Sequence, residues 1–462
     1  MTSKRIVAGV DSSTQSVKIV LRDAVTGELI KSASRPHPDG TEVDPEYWWN
    51  ALQEVIDEVG GLSSFEAIGI AGQQHGMVVL DENGEVIRHA LLWNDTRSSG
   101  TAADLNKEFP EIHIATGSKL VASFTATKLR WLRDHEPENA TKVRAVALPH
   151  DWLSWKLSGS KNIDRLFTDR SDASGTGYFN PLTNEYEMQI LEKAIGHTNV
   201  KLPKIVSPSM FGFDNGRLRI SAGAGDNASG ALGVGAKVGD LIISLGTSGT
   251  AFAVSATPTN DPKGEIAGFA DASGNFLPLA CTLNAAKIFS KTAEMLNISF
   301  DQFSEQALKA KPGAGGLLFM PHFDGERTPD KPDAKGAIIG ITHSNFTSEN
   351  IARAAIEGVI AGIAYAGFGL ESLGVKYQRI LLIGGAAKNR AVQQIATEIF
   401  GQDIFVPPAG EYVADGAAKQ AAWALLGGDN PPLWNQGEFE KIKKSDATPE
   451  VRERYFDAIS RM

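Results

Sequence analysis

Two short stretches of this 462-residue chain limit what it can fold into. In the first, Ile6-Val7-Ala8-Gly9-Val10-Asp11 enters a turn at Ser12-Ser13-Thr14-Gln15-Ser16, and Val17-Lys18-Ile19-Val20 leaves it. Leu241-Ile242-Ile243-Ser244-Leu245, Gly246-Thr247-Ser248-Gly249 and Thr250-Ala251-Phe252-Ala253-Val254 repeat the plan 235 positions on, counted from Asp11 to Gly246. Apolar run, small polar turn, apolar run is the pattern of a β-hairpin with partly buried strands. Small residues let backbone N–H groups close on phosphate oxygens, and hydroxyls add donors. A carboxylate at the end of the first run can hold Mg²⁺ against those phosphates. One such turn is as well explained as an edge hairpin. Two of them, one per half, predict a duplicated unit that closes on one nucleotide from both sides.

The bulk properties narrow the class. Length suggests about three domains, and two α/β domains of more than 200 residues fit equally well. A net charge of −10 argues against nucleic-acid and anionic-membrane partners. Cys281 is the only cysteine, so no disulfide can form within the chain, and a cytoplasmic location is expected. Met1 to Arg5 run directly into a strand, so no export signal is expected. No apolar run is expected to reach the ~20 residues that cross a bilayer.

Along the chain, Asp44 or Pro45 opens a helix that ends at Gly60-Gly61. A buried strand, Ala67 to Ala71, delivers Gly72-Gln73-Gln74-His75-Gly76. Ligands of open α/β sheets bind beyond the carboxyl ends of strands, so Gln74 and His75 face a cleft in this reading. A structural role for the histidine stays open. Met77–Leu80 and Val86–Leu92 read as a hairpin ending in Trp93-Asn94-Asp95-Thr96-Arg97, where an aromatic face beside polar groups suits a sugar, or a helix start is capped. In Thr168–Gly177 the clustered acids read as turn residues, Asp169 among them. Ala222-Gly223-Ala224-Gly225-Asp226-Asn227 places a carboxylate at a helix N-terminus, as a cap or as a catalytic group. The domain boundary is expected between Asn227 and Asp240. Beyond it, Glu326-Arg327-Thr328-Pro329 is a clamp or a surface turn, and Ile351 to Leu373 is a buried helix. Gly384-Gly385 between a strand and a helix lets a nucleotide ring lie against backbone. This divides the chain into residues 1–230, 231–430 and a terminal linker with a short helix at 431–462.

The paired turns resemble the phosphate loops of the sugar kinase, hexokinase, actin and heat-shock chaperone superfamily. Gly72-Gln73-Gln74-His75-Gly76, Trp93-Asn94-Asp95, Ser171-Asp172-Ala173-Ser174-Gly175-Thr176, Gly225-Asp226-Asn227 and Leu245-Gly246-Thr247-Ser248-Gly249 are similar to the motifs of the FGGY carbohydrate kinases. That resemblance implies an α/β protein of two ribonuclease-H-like domains flanking a deep cleft, with sugar held mostly by the first domain and ATP by the second. It implies Asp226 as general base and Asp11 as the acid near Mg²⁺. Thr14, Ser16 and Lys18 match the first phosphate loop, and Gly246 and Thr247 the second. Gln74, His75, Trp93, Asn94 and Asn227 fall on the sugar side, and Gly385, Asn389, Asn284 and Ile288 on the adenine side. Ser13 where relatives carry glycine, Ala386-Ala387-Lys388 and Asp330 depart from the family pattern. The expected activity is transfer of the ATP γ-phosphoryl group to a primary hydroxyl of a ketose, D-xylulose first. L-ribulose, gluconate and glycerol are alternatives, and an actin-like nucleotide-gated protein is the rival outside the class. Sugar and ATP are the expected partners, and a homodimer is an assembly the resemblance allows.

Overall fold

A computed structural model describes residues 4–461. Both predicted hairpins form. β1 (Ile6–Ser12) pairs antiparallel with β2 (Ser16–Asp23), bringing Asp11 opposite Lys18. β3 (Leu29–Pro36) follows on β2. α1 (Pro45–Val59) starts where expected, with Asp44 accepting a hydrogen bond from the Glu46 N–H, and ends at a left-handed Gly60. Such an N-cap stabilises a helix by about 1 kcal/mol. α1 buries Trp48, Leu52, Val55 and Ile56 against the sheet. β4 (Ala67–Gly72) is buried throughout and runs parallel to β1. β5 (Phe211–Asp214), β6 (Arg219–Ser221) and β7 (Ala224–Gly225) complete a seven-stranded sheet of order β5-β6-β4-β1-β2-β3, with β7 also on β4. β7 delivers its chain directly into α2 (Asp226–Val234).

The second half repeats this arrangement. β8 (Asp240–Leu245) and β9 (Gly249–Ala253) form the second hairpin, flanked on one side by β10 (Ala267–Ala270) and β11 (Phe276–Thr282). On the other side, β12 (Arg379–Ile383) lies parallel to β8 as β4 does to β1. β13 (Ile404–Val406) and β14 (Glu440–Ile442) extend the sheet to seven strands. β14 lies inside the stretch expected as a terminal linker. Its three residues, of which Glu440 and Lys441 are polar, gain their conformation from the exposed edge of β13 rather than from their own pattern.

α3 (Ser348–Ser372) fills the core of the second half. At 25 residues it is long and apolar enough by composition to cross a bilayer, which corrects the expectation that no such run exists. Its window is instead covered by protein, as the sequence pattern of apolar positions all round implies. The predicted Met77–Leu92 hairpin also differs. Val78–Leu80 pairs with Ala145–Ala147, and Ala90–Leu91 with Glu42–Val43, leaving only bridges between the two runs. Fully buried strands find partners by tertiary contact, and the Asn83-Gly84 turn alone does not decide them.

α4 (Tyr412–Leu426) belongs in sequence to the second half but packs on the first sheet. Ala414 and Ala418 lie so close to Gly9 that a Cβ there would sit 2.0 Å from the Ala414 carbonyl oxygen. α4 also crosses α2. A Cβ on Gly416 would stand 1.8 Å from the Ser229 carbonyl oxygen, and one on Gly233 1.8 Å from that of Tyr412. Two glycines thus let the last helices of both halves touch backbone to backbone.

Candidate active site

Beyond the carboxyl ends of β4 and β7, the two halves enclose a cavity of about 250 Å³. Gln74, His75, Trp93, Asp226 and Asn227 line it from the first half. Gly246, Ser248, Phe269, Cys281 and Arg327 line it from the second. Six of the residues singled out in the sequence therefore meet in one place.

Asp226 is the first residue of α2, following Gly225 at the cap. The Asn227 N–H donates to Asp226 Oδ1 at 2.7 Å, and the Asn227 amide donates to the same oxygen at 2.8 Å. Burial pushes this carboxyl up to about 6, against the pull of those donors. Asp11, the next-to-last residue of β1, lies close enough to feel Asp226. Burial first, and then the Asp226 charge, push it up to about 7, while Lys18 opposes. Its Oδ1 is buried without a hydrogen-bond partner among the described residues. Such an atom at the meeting of two carboxylates fits a hard divalent cation, which takes oxygen ligands and would satisfy it.

His75 sits at φ 69°, a left-handed conformation forced by the turn between β4 and the following strand. Its Nδ1–H donates to the Gly175 carbonyl at 2.7 Å, so Nε2 is the nitrogen free to accept from a ligand. Burial lowers its pKa to about 3, and the ring is neutral at physiological pH. Phe124 and Phe269 flank it at 4.8 and 5.6 Å between ring centroids. Phe124 comes from the first half and Phe269 from the second, so the imidazole is wedged across the division. Gln74 Nε2 reaches the Ser171 carbonyl at 3.4 Å. Trp93 Nε1 donates to Thr14 Oγ1 at 2.9 Å, tying the sugar-side segment to the first hairpin turn.

The remaining sequence candidates divide. Ser16 closes the first turn through its carbonyl, which accepts from the Ser13 N–H and hydroxyl. Lys18 Nζ lies 2.5 Å from Glu411 Oε2, a bond between the halves. Asn94 keeps off the cavity wall, with its amide 3.5 Å from the Gly40 carbonyl and Oδ1 buried and unpartnered. Thr247 is exposed at the tip of the second turn. Gly385 lies open in a separate depression of about 600 Å³, with Gly384 and Lys388 facing Glu411 and Tyr412. Asn389 caps the helix Arg390–Phe400, its Oδ1 accepting from Ala391 and Val392 N–H groups. One expectation is corrected. Ile288 is fully buried on the inner face of helix Ala286–Met295 and offers no surface to a ligand. Asn284 is buried too, its amide donating to the Gly325 carbonyl and to Glu326, so it anchors the 325–327 segment. Apolar and amide side chains near a strand end look alike in sequence whether they face a cleft or a core.

Several wall residues carried no sequence signal as site residues. Arg327 was visible only as part of a Glu-Arg-Thr-Pro run. Glu326 fixes that run by accepting from the N–H groups of Leu283 and Arg327. Lys128 is fully buried, and its Nζ donates to the His75 and Ser123 carbonyls. Burial lowers its pKa to about 7. A lysine on an otherwise apolar helix face reads as solvated until the fold encloses it.

Residues 6–233 match the N-terminal domain and residues 241–425 the C-terminal domain of the FGGY family of carbohydrate kinases. The chain is 39% identical to a xylulose kinase of Streptomyces coelicolor over 96% of its length and 94% of the relative's. It is 40% identical to a xylulose kinase of Streptomyces rubiginosus, covering 92% of this chain and 89% of that one. The crystal structure of a xylulose kinase from Bifidobacterium adolescentis superposes with a TM-score of 0.92 at 42% identity, covering 99% of both chains. With both halves matched in order, and their motifs converging on one interdomain cavity, the chain belongs to the FGGY family of carbohydrate kinases.

Proposed function

We propose that this kinase transfers the γ-phosphoryl group of ATP to the 5-hydroxyl of D-xylulose, with Asp226 as general base. The observation that carries the reading is the shared cavity. Sugar-side groups from one half and the Gly246–Ser248 turn from the other face the same Asp226. At about 250 Å³ it lies below the roughly 300–1,000 Å³ of pockets for drug-sized ligands, and suits a small polyol. The relatives' names supply the particular sugar.

Gln74, neutral His75 and Trp93 orient the sugar, the ring nitrogen and amide meeting its hydroxyls and the indole its C–H face. Asn227 occupies Asp226 Oδ1, and Oδ2 accepts the proton as the hydroxyl oxygen attacks phosphorus. A positioned base contributes about 10²–10⁴-fold to rate. N–H groups of the second turn take the charge that spreads over the transferring phosphoryl oxygens. Asp11 would hold Mg²⁺, which neutralises phosphate charge when bound. Closure of the halves over bound sugar would keep out water, the competing acceptor.

The test is ATP turnover with a panel of D-xylulose, L-ribulose, gluconate and glycerol. D-xylulose should give the highest kcat/KM, at least about 10-fold above the rest, because unmatched buried hydrogen-bonding groups penalise analogues. Preference for another member of the panel would replace the substrate assignment and leave the kinase class standing.

A further inference from the structure

Behind the cavity wall lies a buried cluster that phosphoryl transfer as described does not use. His150 Nε2 is 3.3 Å from Asp151 Oδ1, 3.5 Å from Asp169 Oδ1 and 3.3 Å from Asp172 Oδ2. None of the four side chains is more than 1% exposed. Asp169 is already engaged, accepting from the N–H groups of Ser171 and Asp172. Asp151 accepts from the Leu148 N–H. Neither carboxylate oxygen of Asp172 has a hydrogen-bond partner among the described residues. Burial raises the Asp151 carboxyl to about 6 and that of Asp172 well above the usual carboxylate range. Negative charge here is therefore costly unless a cation offsets it, and one imidazole stands among the three acids.

The position of that imidazole is more telling than its charge. A Cβ on Gly72 would come 3.0 Å from His150 Cβ, and a Cβ on Gly223 would come 2.7 Å from His150 Nδ1. Gly72 ends the strand that delivers Gln74 and His75. Gly223 begins the Gly223-Ala224-Gly225 run that delivers Asp226. Two residues without side chains therefore clear the space in which His150 sits between both catalytic strands. Its third neighbour, the 169–176 segment, holds the same groups from the far side. Ser171 Oγ accepts from the Gly225 N–H at 3.1 Å, the Ser171 carbonyl accepts from Gln74, and the Gly175 carbonyl accepts from His75.

We propose that His150, as an imidazolium at ion-pair distance from Asp151, Asp169 and Asp172 with neither ring nitrogen hydrogen-bonded among the described residues, is a positioning residue that sets the spacing between the sugar contacts and Asp226. The proposal rests on the kinase reading above. Burial opposes the charged ring, yet the three carboxylates outweigh it and push His150 up to about 9. Neutralising His150 leaves the carboxylates unpaired, so the 169–176 segment shifts and carries Gln74, His75 and Gly225 with it. The Gly246 turn and the Gly385 depression lie outside this cluster, so ATP binding is spared.

The experiment combines His150→Gln, His150→Lys and a measurement on the unaltered protein. His150→Gln removes the charge. It should lower kcat/KM for the best sugar of the panel by on the order of 10²-fold, the usual penalty for an ångström of misplacement, while KM for ATP stays within about 2-fold. His150→Lys keeps a cation and should recover most of the loss. A folded His150→Gln with full activity would overturn the proposal, as would equal impairment of both variants. Imidazole ¹⁵N shifts of the unaltered enzyme, read whether or not the variants fold, should show both His150 nitrogens protonated at pH 7.5. A neutral ring, or one equivalent of tightly held transition metal by elemental analysis, would also overturn it. Because the NMR reading needs no substrate, a wrong sugar assignment and a wrong role for His150 give different results.

Discussion

In the proposed reaction Asp226 is the base, and its surroundings set when it can act. A base must be ionised, and burial has raised this carboxyl from its ordinary 3.8 to about 6. Turnover should therefore fall as pH drops through about 6, although an exposed aspartate would stay active two units lower. Asp11, raised to about 7, must also be ionised to hold a cation. At saturating Mg²⁺ the metal favours ionised Asp11, leaving a one-proton acid limb. At limiting Mg²⁺ the limb in a kcat/KM profile should steepen towards two protons and move up in pH. Asp226→Asn should cut kcat by about 10²–10⁴-fold with KM for both substrates near normal. Steady-state kinetics across pH 5–9 checks both statements, and near-normal kcat in the variant would remove Asp226 from its role. His75 shows the same logic with the opposite sign. Its depressed pKa keeps it neutral, so in the proposed reaction it meets hydroxyls as an uncharged ring and does not itself titrate in that range.

At the scale of elements, the two hairpins and the two crossing helices do different work. The hairpins present turns, whereas α2 and α4 hold the halves together where Gly416 meets Ser229 and Gly233 meets Tyr412. A methyl group cannot fit 1.8 Å from a carbonyl oxygen, so either helix must move by more than an ångström to accept one. Gly416→Ala should destabilise the protein by at least about 2 kcal/mol, the range for overpacking against backbone. A urea denaturation midpoint measures it. An unchanged midpoint would mean that the helices slide freely at this crossing. Gly385→Ala, with nothing within 4 Å of its Cβ, is the matched control and should leave the midpoint unchanged.

The whole molecule depends on bonds that cross between halves near the site. Arg170 belongs to the segment that supports His75. Its Nη1 donates to the Asn275 carbonyl at 2.5 Å, and its guanidinium lies 5.3 Å over the Phe276 ring. Next to it, Ser174 Oγ accepts from the Ala270 N–H at 3.0 Å. Loosening this latch should leave Asp226 intact but let water into the cavity. Arg170→Ala is expected to raise KM for sugar about 10-fold and to increase ATP hydrolysis in the absence of sugar. Parallel assays of both activities give the answer, and unchanged values for both would show that the latch has no part in closure.

Much of this was legible in the chain itself. The hairpins, α1 with its Asp44 cap and Gly60 stop, the buried α3 and the placement of Asp226 at a helix start all follow from local patterns of apolar period, small residues and caps. Local chemistry is sufficient there because each signal and its consequence lie within a few residues. Other features were set by distance. The sequence of Tyr412–Leu426 contains nothing that sends it to the first sheet, where it lies because Gly9 and Gly69 leave room for it. Asp169 read as a turn residue; it is instead the N-cap of the short helix Arg170–Ala173, and only the fold sets it beside His150 and Asp172. Ile288, expected beside a ligand, lies in the core, and Lys128 is buried as well, because burial is decided by whatever packs over a residue. The sequence by itself determined which residues could bind, cap or turn. The tertiary structure decided which of them share a cavity, since interactions between ionised and hydrogen-bonding groups act only over a few ångströms and the chain must first bring them that close.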